Sequence, residues 1–472
     1  MAMQKAKGSQ RKREPGASGQ TTDEELLGGS MAGSWQVGQR SRDSFARAQR
    51  VFPDGTSRVT VERNPVPLYM ERGLGSHVID VDGNRFLDLN GNFTSLIHGH
   101  AFAPIVEALT NQLELGSCFA NPTESEVALA ELLCERIPQV ERVRFVNTGT
   151  EAVLFAIKAA RAFTGRSKIA KLEGAYHGAY DWAEVSLAAT PDNWGDPSCP
   201  RSTPSYRGMP ASVLDEVVVL RFNDADAARQ LLSLHGRNLA AVIVDPMPSR
   251  AGLIAPKPEF IAVVQETARA NGILVIADEV LNLRQSFEGA CVLYGLVPDL
   301  ITMGKIIGGG LPIGAVGGRQ DVMRVFDASE GRPLLPQGGT FSANPLSITA
   351  GLVAMQHLDH AAFAHLDSLG DVVRNGIARA ISKVGAPLCV TGAASLFRIH
   401  PMIQVPNDNR EAYPAPRALE LMKQLVQFFA ENGIVLPYGA AASLSTAMNR
   451  SDIEFVVDVF AGFLESHGAR WI

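Results

Sequence analysis

From about residue 100 onward, short runs that are apolar at nearly every position alternate with stretches of helical spacing. The runs fall at 143–146, 168–172, 217–220, 240–244, 273–277 and 300–303, and helical stretches include 123–137, 151–163 and 224–235. Strands apolar on both faces, each followed by an amphipathic helix, predict a mostly parallel sheet between two helical layers. The first hundred residues follow another rule. Residues 44–52 read as a short amphipathic helix stopped by Pro53-Asp54-Gly55, and 68–70, 77–81 and 85–89 read as strands. Asp82-Gly83-Asn84 joins the last two as a hairpin turn, so a small antiparallel sheet opens the fold. A helical run at 343–360 leads into a final α+β portion with strands near 388–391 and 395–403.

This patterning predicts an α/β protein with a large domain over 96–345. A smaller α+β domain is built from both chain ends, with 36–95 as its N-terminal segment and 346–472 as its C-terminal part. Residues 1–35 lack apolar periodicity and read as a flexible leader. Composition narrows the class further. Of 472 residues, 46% are hydrophobic and 19% charged, against a usual charged share of roughly 25%. The formal net charge of −6 supplies no basic stripe for nucleic acid. No apolar run is long enough to span a membrane, and the basic start is followed by no apolar signal-peptide core. Five cysteines without a Cys-x-x-Cys pair exclude zinc ribbons and disulfide scaffolds. The expectation is a cytoplasmic enzyme with no metal site and neither nucleic acid nor membrane as a partner.

Candidate chemistry gathers where the apolar strands end, which is where open α/β sheets bind ligands. Asn147-Thr148-Gly149-Thr150-Glu151-Ala152 follows the strand 143–146 and opens a helix. Its first backbone N–H groups and the helix dipole suit an anion, although an ordinary N-cap has the same residues. Neither a Walker P-loop nor a dinucleotide fingerprint occurs. Asp278 and Glu279 end the most apolar strand. Alternation sends adjacent side chains to opposite faces, so Asp278 is expected to enter the site and Glu279 to serve the structure. Lys305 follows a hydrophobic strand and precedes Gly308-Gly309-Gly310, a setting that depresses an amine's pKa and makes it nucleophilic. The glycines are expected to let backbone approach a flat ligand. Tyr176 and His177 sit between glycines in a loop. An amine, a strand-terminal acid, an aromatic plate and an anion-binding helix start are together what pyridoxal 5'-phosphate requires.

On these residues the chain resembles the class III aminotransferases, with fold-type-I pyridoxal phosphate architecture. The motifs that carry the resemblance are 147–152, Tyr176-His177-Gly178, Asp278-Glu279-Val280, Gly304-Lys305-Ile306-Ile307-Gly308-Gly309-Gly310 and Gly338-Gly339-Thr340-Phe341-Ser342-Ala343-Asn344-Pro345. Within the family they look most like glutamate-1-semialdehyde aminomutase and the β-amino-acid aminotransferases. The resemblance covers roughly residues 40–470 and makes 96–345 the cofactor-binding domain.

It implies transfer of an amino group from an amino acid donor, a β-amino acid among the candidates, or from an amine, to a keto acid acceptor. The alternatives are an aminomutase or an amino-acid racemase on the same cofactor. Lys305 would form a Schiff base (the internal aldimine) and move the proton. Asp278 would keep the pyridine nitrogen protonated. Tyr176, with His177 beside it, would meet the ring, and Thr148, Gly149 and Thr150 would bind phosphate. Thr340 would reach the phosphate from a second subunit, which implies a homodimer. Arg58 lies where relatives place a carboxylate-binding arginine, and a guanidinium suits a carboxylate through bidentate bonds. The chain departs from the family at Asp245-Pro246, where Glu-Pro is usual, and at Arg250, where the aminomutase has asparagine. Arg250 is thus a second candidate for a substrate carboxylate, with Arg284 and Arg398 behind it. In 434–448 neither the aminomutase's acidic gate nor the switching arginine of many ω-aminotransferases is found.

Overall fold

The computed structural model describes residues 37–63 and 66–467; the leader expected at 1–35 lies outside them. Strands β1 (Met70–Leu74), β2 (His77–Asp80) and β3 (Arg85–Asp88) pair antiparallel in sequence order. Ile434–Val435, from the far end of the chain, adds to β3 in parallel. Helix α1 (Gln39–Ala48) begins earlier than its apolar spacing suggests. The cause is a cap supplied by the tertiary fold. Asp82 of the hairpin turn accepts the N–H groups of Arg40 at 3.0 Å and Ser41 at 3.2 Å, satisfying donors that a helix start leaves open.

The central sheet holds β4 (Arg142–Val146), β5 (Lys168–Leu172), β6 (Val217–Leu220), β7 (Leu239–Val244), β8 (Leu274–Asp278), β9 (Leu300–Gly304) and β10 (Gly314–Gly318). Their order is β4-β10-β9-β8-β7-β5-β6. All neighbours are parallel except β10, which runs against both β9 and β4. Patterning misses β10 because its sequence is Gly-Ala-Val-Gly-Gly. The glycines are needed there: a Cβ on Gly314 would stand 2.0 Å from the carbonyl oxygen of Thr148.

Alternation explains why the strands read as continuously apolar. Ile169, Val219, Ile243 and Ile276 pack on one face with Val153, Ala156 and Ile157 of α3 (Gly149–Thr164), the helix after α2 (Glu124–Arg136). Ala170, Leu220, Val242, Val275 and Met303 face the other way, against Leu129 and Leu133 of α2 and Phe260 and Val264 of α4 (Pro258–Asn271). The helical run expected at 343–360 is α5 (Pro345–His357), followed by the separate 25-residue α6 (His360–Val384).

Arg284, fully buried, ties these parts together. It donates from Nε to Ser395 Oγ at 3.0 Å, from Nη1 to the carbonyl of Thr94 at 2.8 Å, and from Nη2 to that of Leu444. Burial pushes its pKa down to about 9. Removing it strands three buried acceptors, so Arg284→Met is expected to lower unfolding stability by about 3 kcal/mol. Denaturant unfolding with and without cofactor measures this, and a loss below about 1 kcal/mol would contradict the role.

Candidate active site

Asp278 is the last residue of β8 and pairs in register with Thr302 of β9. Its Oδ2 accepts from His177 Nδ1 at 2.6 Å, and its Oδ1 accepts from Thr302 Oγ1 at 3.0 Å and the Val280 N–H at 3.1 Å. Burial works against ionisation, but the His177 hydrogen bond and charge, the Val280 N–H and the nearby Lys305 outweigh it and hold the carboxyl below its usual range. Burial in turn holds the His177 imidazole below its usual range. The pair is therefore a buried carboxylate accepting from the imidazole Nδ1–H. The other ring nitrogen, His177 Nε2, is buried and has no partner among the described residues. Glu279 turns away and accepts the N–H groups of Ala290 at 3.1 Å and Cys291 at 2.6 Å, a structural duty.

Lys305 comes directly after β9. Burial pushes its pKa down, opposed first by the charge of Asp278. It has φ of +50°, a left-handed conformation that costs a side-chain-bearing residue about 1–2 kcal/mol. Two glycines here, Gly309 of that run and Gly351 of α5, are required by packing. A Cβ on Gly309 would lie 2.5 Å from the Ala350 carbonyl, and one on Gly351 would lie 2.0 Å from the Ile307 carbonyl. They are there because α5 packs directly on the turn that presents Lys305.

The start of α3 stands beside these groups. Thr148 caps it, accepting the Glu151 N–H at 3.1 Å, while the N–H groups of Gly149 and Thr150 have no carbonyl one turn behind them. Gly149 can bear no side chain, since a Cβ would meet Val280 at 2.8 Å. The Tyr176–Ala179 loop seats on this turn: Ala179 N–H donates to Thr150 Oγ1 at 3.2 Å, and a Cβ on Gly178 would strike the same oxygen at 2.3 Å. Tyr176 is 50% exposed.

Sequence reasoning missed what holds that loop. Lys171 of β5 is fully buried, and its Nζ donates to the carbonyls of Val185 at 2.8 Å, Leu172 at 3.0 Å and Ala175 at 3.4 Å. Burial lowers its pKa to about 7. From above, Glu173 is clamped by Arg410 through bonds of 2.7 and 3.0 Å. A lysine inside a strand is the one available signal in the sequence, and it could not reveal the three carbonyls.

Lys305, Asp278, His177 and the 148–150 turn are thus brought to one edge of the sheet. The other candidates stand apart. Arg58 is exposed, donates to Asn92 Oδ1 at 3.2 Å and lies over Phe93. Beneath it, Gly91, Asn92, Phe93 and Thr94 all have positive φ, a short left-handed turn. Arg250 is exposed and next to Arg398, whose Nη1 donates to the Ser249 carbonyl at 2.7 Å and whose Nε is buried without a partner. Burial, with the charge of Arg250 adding to it, lowers Arg398 to about 10. Among the described residues neither arginine pairs with an acid. Arg284, by contrast, spends its donors inside the protein and is no substrate anchor. Thr340 is exposed.

Residues 59–439 match the family model for aminotransferase class-III. The chain is 37% identical over 402 residues to a glutamate-1-semialdehyde 2,1-aminomutase of Methanobrevibacter smithii, covering 84% of this chain and 91% of that one. It is 46% identical to the solved structure of an omega-transaminase from Sphaerobacter thermophilus, with a TM-score of 0.89 over 91% of this chain and 98% of the other. A β-phenylalanine aminotransferase from Variovorax paradoxus follows at 32% identity and a TM-score of 0.82, covering 91% and 94%. The protein belongs to the class-III aminotransferase family and is a pyridoxal-phosphate-dependent transaminase of fold type I.

Proposed function

We propose that the chain transfers an amino group from an amino acid, a β-amino acid in particular, to a keto acid, with Lys305 as the covalent link to the cofactor and Asp278 as its acidic partner. The observation that carries this is the placement of the Lys305 amine and the buried Asp278 carboxylate at the ends of adjacent strands. The site residues fit the cofactor in kind: amine, carboxylate, helix start for a phosphate, and a half-exposed tyrosine ring. Bound there, pyridoxal phosphate supplies an electron sink for the carbon that bears the substrate's amine. With the cofactor held there, Lys305 Nζ would be the base that takes the proton from that carbon and gives it back. Asp278 keeps a negative charge facing the ring nitrogen, and His177 fixes that carboxylate in position. Thr148, Gly149 and Thr150 hold the phosphate, with the partner subunit's Thr340 closing it in a homodimer. Arg250 and Arg398, two cations without an acid between them, are the stronger carboxylate anchor; Arg58 is available for the second substrate.

A second reading, an aminomutase, is favoured by the 37% identity to the Methanobrevibacter smithii enzyme. A half-reaction screen of α- and β-amino acids, followed by conversion of the cofactor to its amine form, separates the two. Conversion by a β-amino acid with release of a keto product is expected. Isomerisation or racemisation with no keto acceptor would overturn the transfer. In the same assay Arg250→Ala is expected to raise KM for one carboxylate substrate about tenfold to a hundredfold, the loss of a charge-assisted bidentate contact. An unchanged KM for both substrates would shift the anchor to Arg58.

A further inference from the structure

Asp245 is the departure from the family's Glu-Pro pattern that the proposed mechanism leaves unused. It follows β7, one position past the paired residues Val244 and Ala277, and so stands beside Asp278 on the neighbouring strand. It is buried. Its Oδ1 accepts from Asn282 Nδ2 at 2.6 Å and from the Met247 N–H at 3.0 Å. Behind Asn282 the donors continue in one direction. Gln285 Nε2 donates to Asn282 Oδ1 at 2.6 Å, and Tyr294 OH donates to Gln285 Oε1 at 2.8 Å. Every donor points inward, so the chain ends on Oδ1 as an acceptor. Oδ2 takes no hydrogen bond from the described residues, yet it is not among the side-chain oxygens sealed from the surroundings.

The two carboxyls differ in what compensates them. Asp278 has three donors divided over both oxygens. Asp245 has two neutral donors on one oxygen only. Two adjacent buried carboxylates repel, and the less compensated one keeps its proton. We propose that Asp245 is a second binding residue of the site, a neutral carboxyl whose Oδ2–H is offered as a hydrogen-bond donor to an acceptor on the bound cofactor or substrate, leaving Asp278 as the only fixed negative charge. Burial and the charge of Asp278 push the Asp245 pKa well up, against the Asn282 and Met247 bonds and Lys305. Asp278, Lys305 and Tyr294 are the titratable groups that face it. Tyr294, raised to about 12 by burial first, stays protonated and keeps the chain's direction.

The proposal rests on Lys305 and Asp278 holding the cofactor. Its test compares Asp245→Ala with Asp245→Asn. The alanine variant is expected to weaken cofactor binding to the apoenzyme about tenfold, the loss of one donor. Asparagine, which keeps acceptor and donor, should restore affinity to within about threefold and leave the pH midpoint of the visible band in place. A fall of that midpoint by about one unit in Asp245→Asn would show that a negative charge had been removed, and would overturn the neutral carboxyl. Loss of thermal stability in Asp245→Ala with cofactor affinity unmoved would overturn the binding role. Should neither variant fold, infrared spectra of wild-type apoenzyme labelled with 13C-aspartate decide the point. A label-sensitive protonated-carboxyl stretch at neutral pH is expected, and its absence refutes the proposal. That spectrum needs no cofactor, so it stands apart from failure of the Lys305 and Asp278 assignment, which a wild type with no borohydride-sensitive band would reveal.

Discussion

Lys305→Ala is expected to abolish transfer, with a fall of at least about ten-thousandfold in turnover, the scale on which loss of a covalent catalyst registers. The visible band that borohydride bleaches in the wild type should disappear from the variant. No neighbour can take over. Lys171 is the other buried lysine near the loop, but its Nζ is held by three carbonyls. The variant should fold, because alanine fills less space than the lysine it replaces. Thermal unfolding and noncovalent cofactor binding check that, so a dead enzyme is not confused with an unfolded one. A borohydride-sensitive band that survives in Lys305→Ala would sink the assignment.

Asp278→Asn has the next largest expected effect. The amide retains the shape of the carboxylate but has one oxygen: keeping it for Thr302 Oγ1 and the Val280 N–H turns the NH2 toward His177 Nδ1, which then accepts as the other tautomer, so the geometry survives while the charge does not. Losing a preorganised charge at the reacting framework is worth about a hundredfold to a thousandfold in rate. The fall should appear in the single-turnover half-reaction, with KM little changed, if Asp278 acts on the cofactor ring as proposed. A loss under tenfold would mean that another group carries the negative charge. Asp245 is the candidate nearest to hand, so the Asp245 and Asp278 variants test each other. Removing charge at Asp278 should be severe, whereas the same amide replacement at Asp245 should leave the band's pH midpoint in place.

Much of the sheet was legible in the sequence. Residues 168–172 and 217–220 are strands at the expected positions; 143–146, 240–244 and 300–303 differ by a residue at one end, and 273–277 is displaced by one residue at both. Burial on both faces forces continuous apolar runs, and such runs announce themselves. β10 does not, because close backbone contact requires glycine, the residue that signals a turn in a linear reading. The same confusion explains Gly309 and Gly351. Their absence of side chain lets α5 pack on the turn that presents Lys305, a contact no linear pattern shows.

By itself, the sequence determined which strands form the core and which residues end them, and hence the lysine, the acid and the helix start at one sheet edge. These follow from local periodicity, because a strand's last residue projects where the sheet stops. The tertiary structure decided the rest: that Asp82 caps α1, that Arg284 is a buried tie and not an anchor, that Lys171 and Arg410 hold the Tyr176 loop, and that Asp245 faces Asp278 with one oxygen unpartnered. Protonation state and hydrogen-bond direction depend on which groups meet across long separations in the chain, and no local pattern encodes those distances.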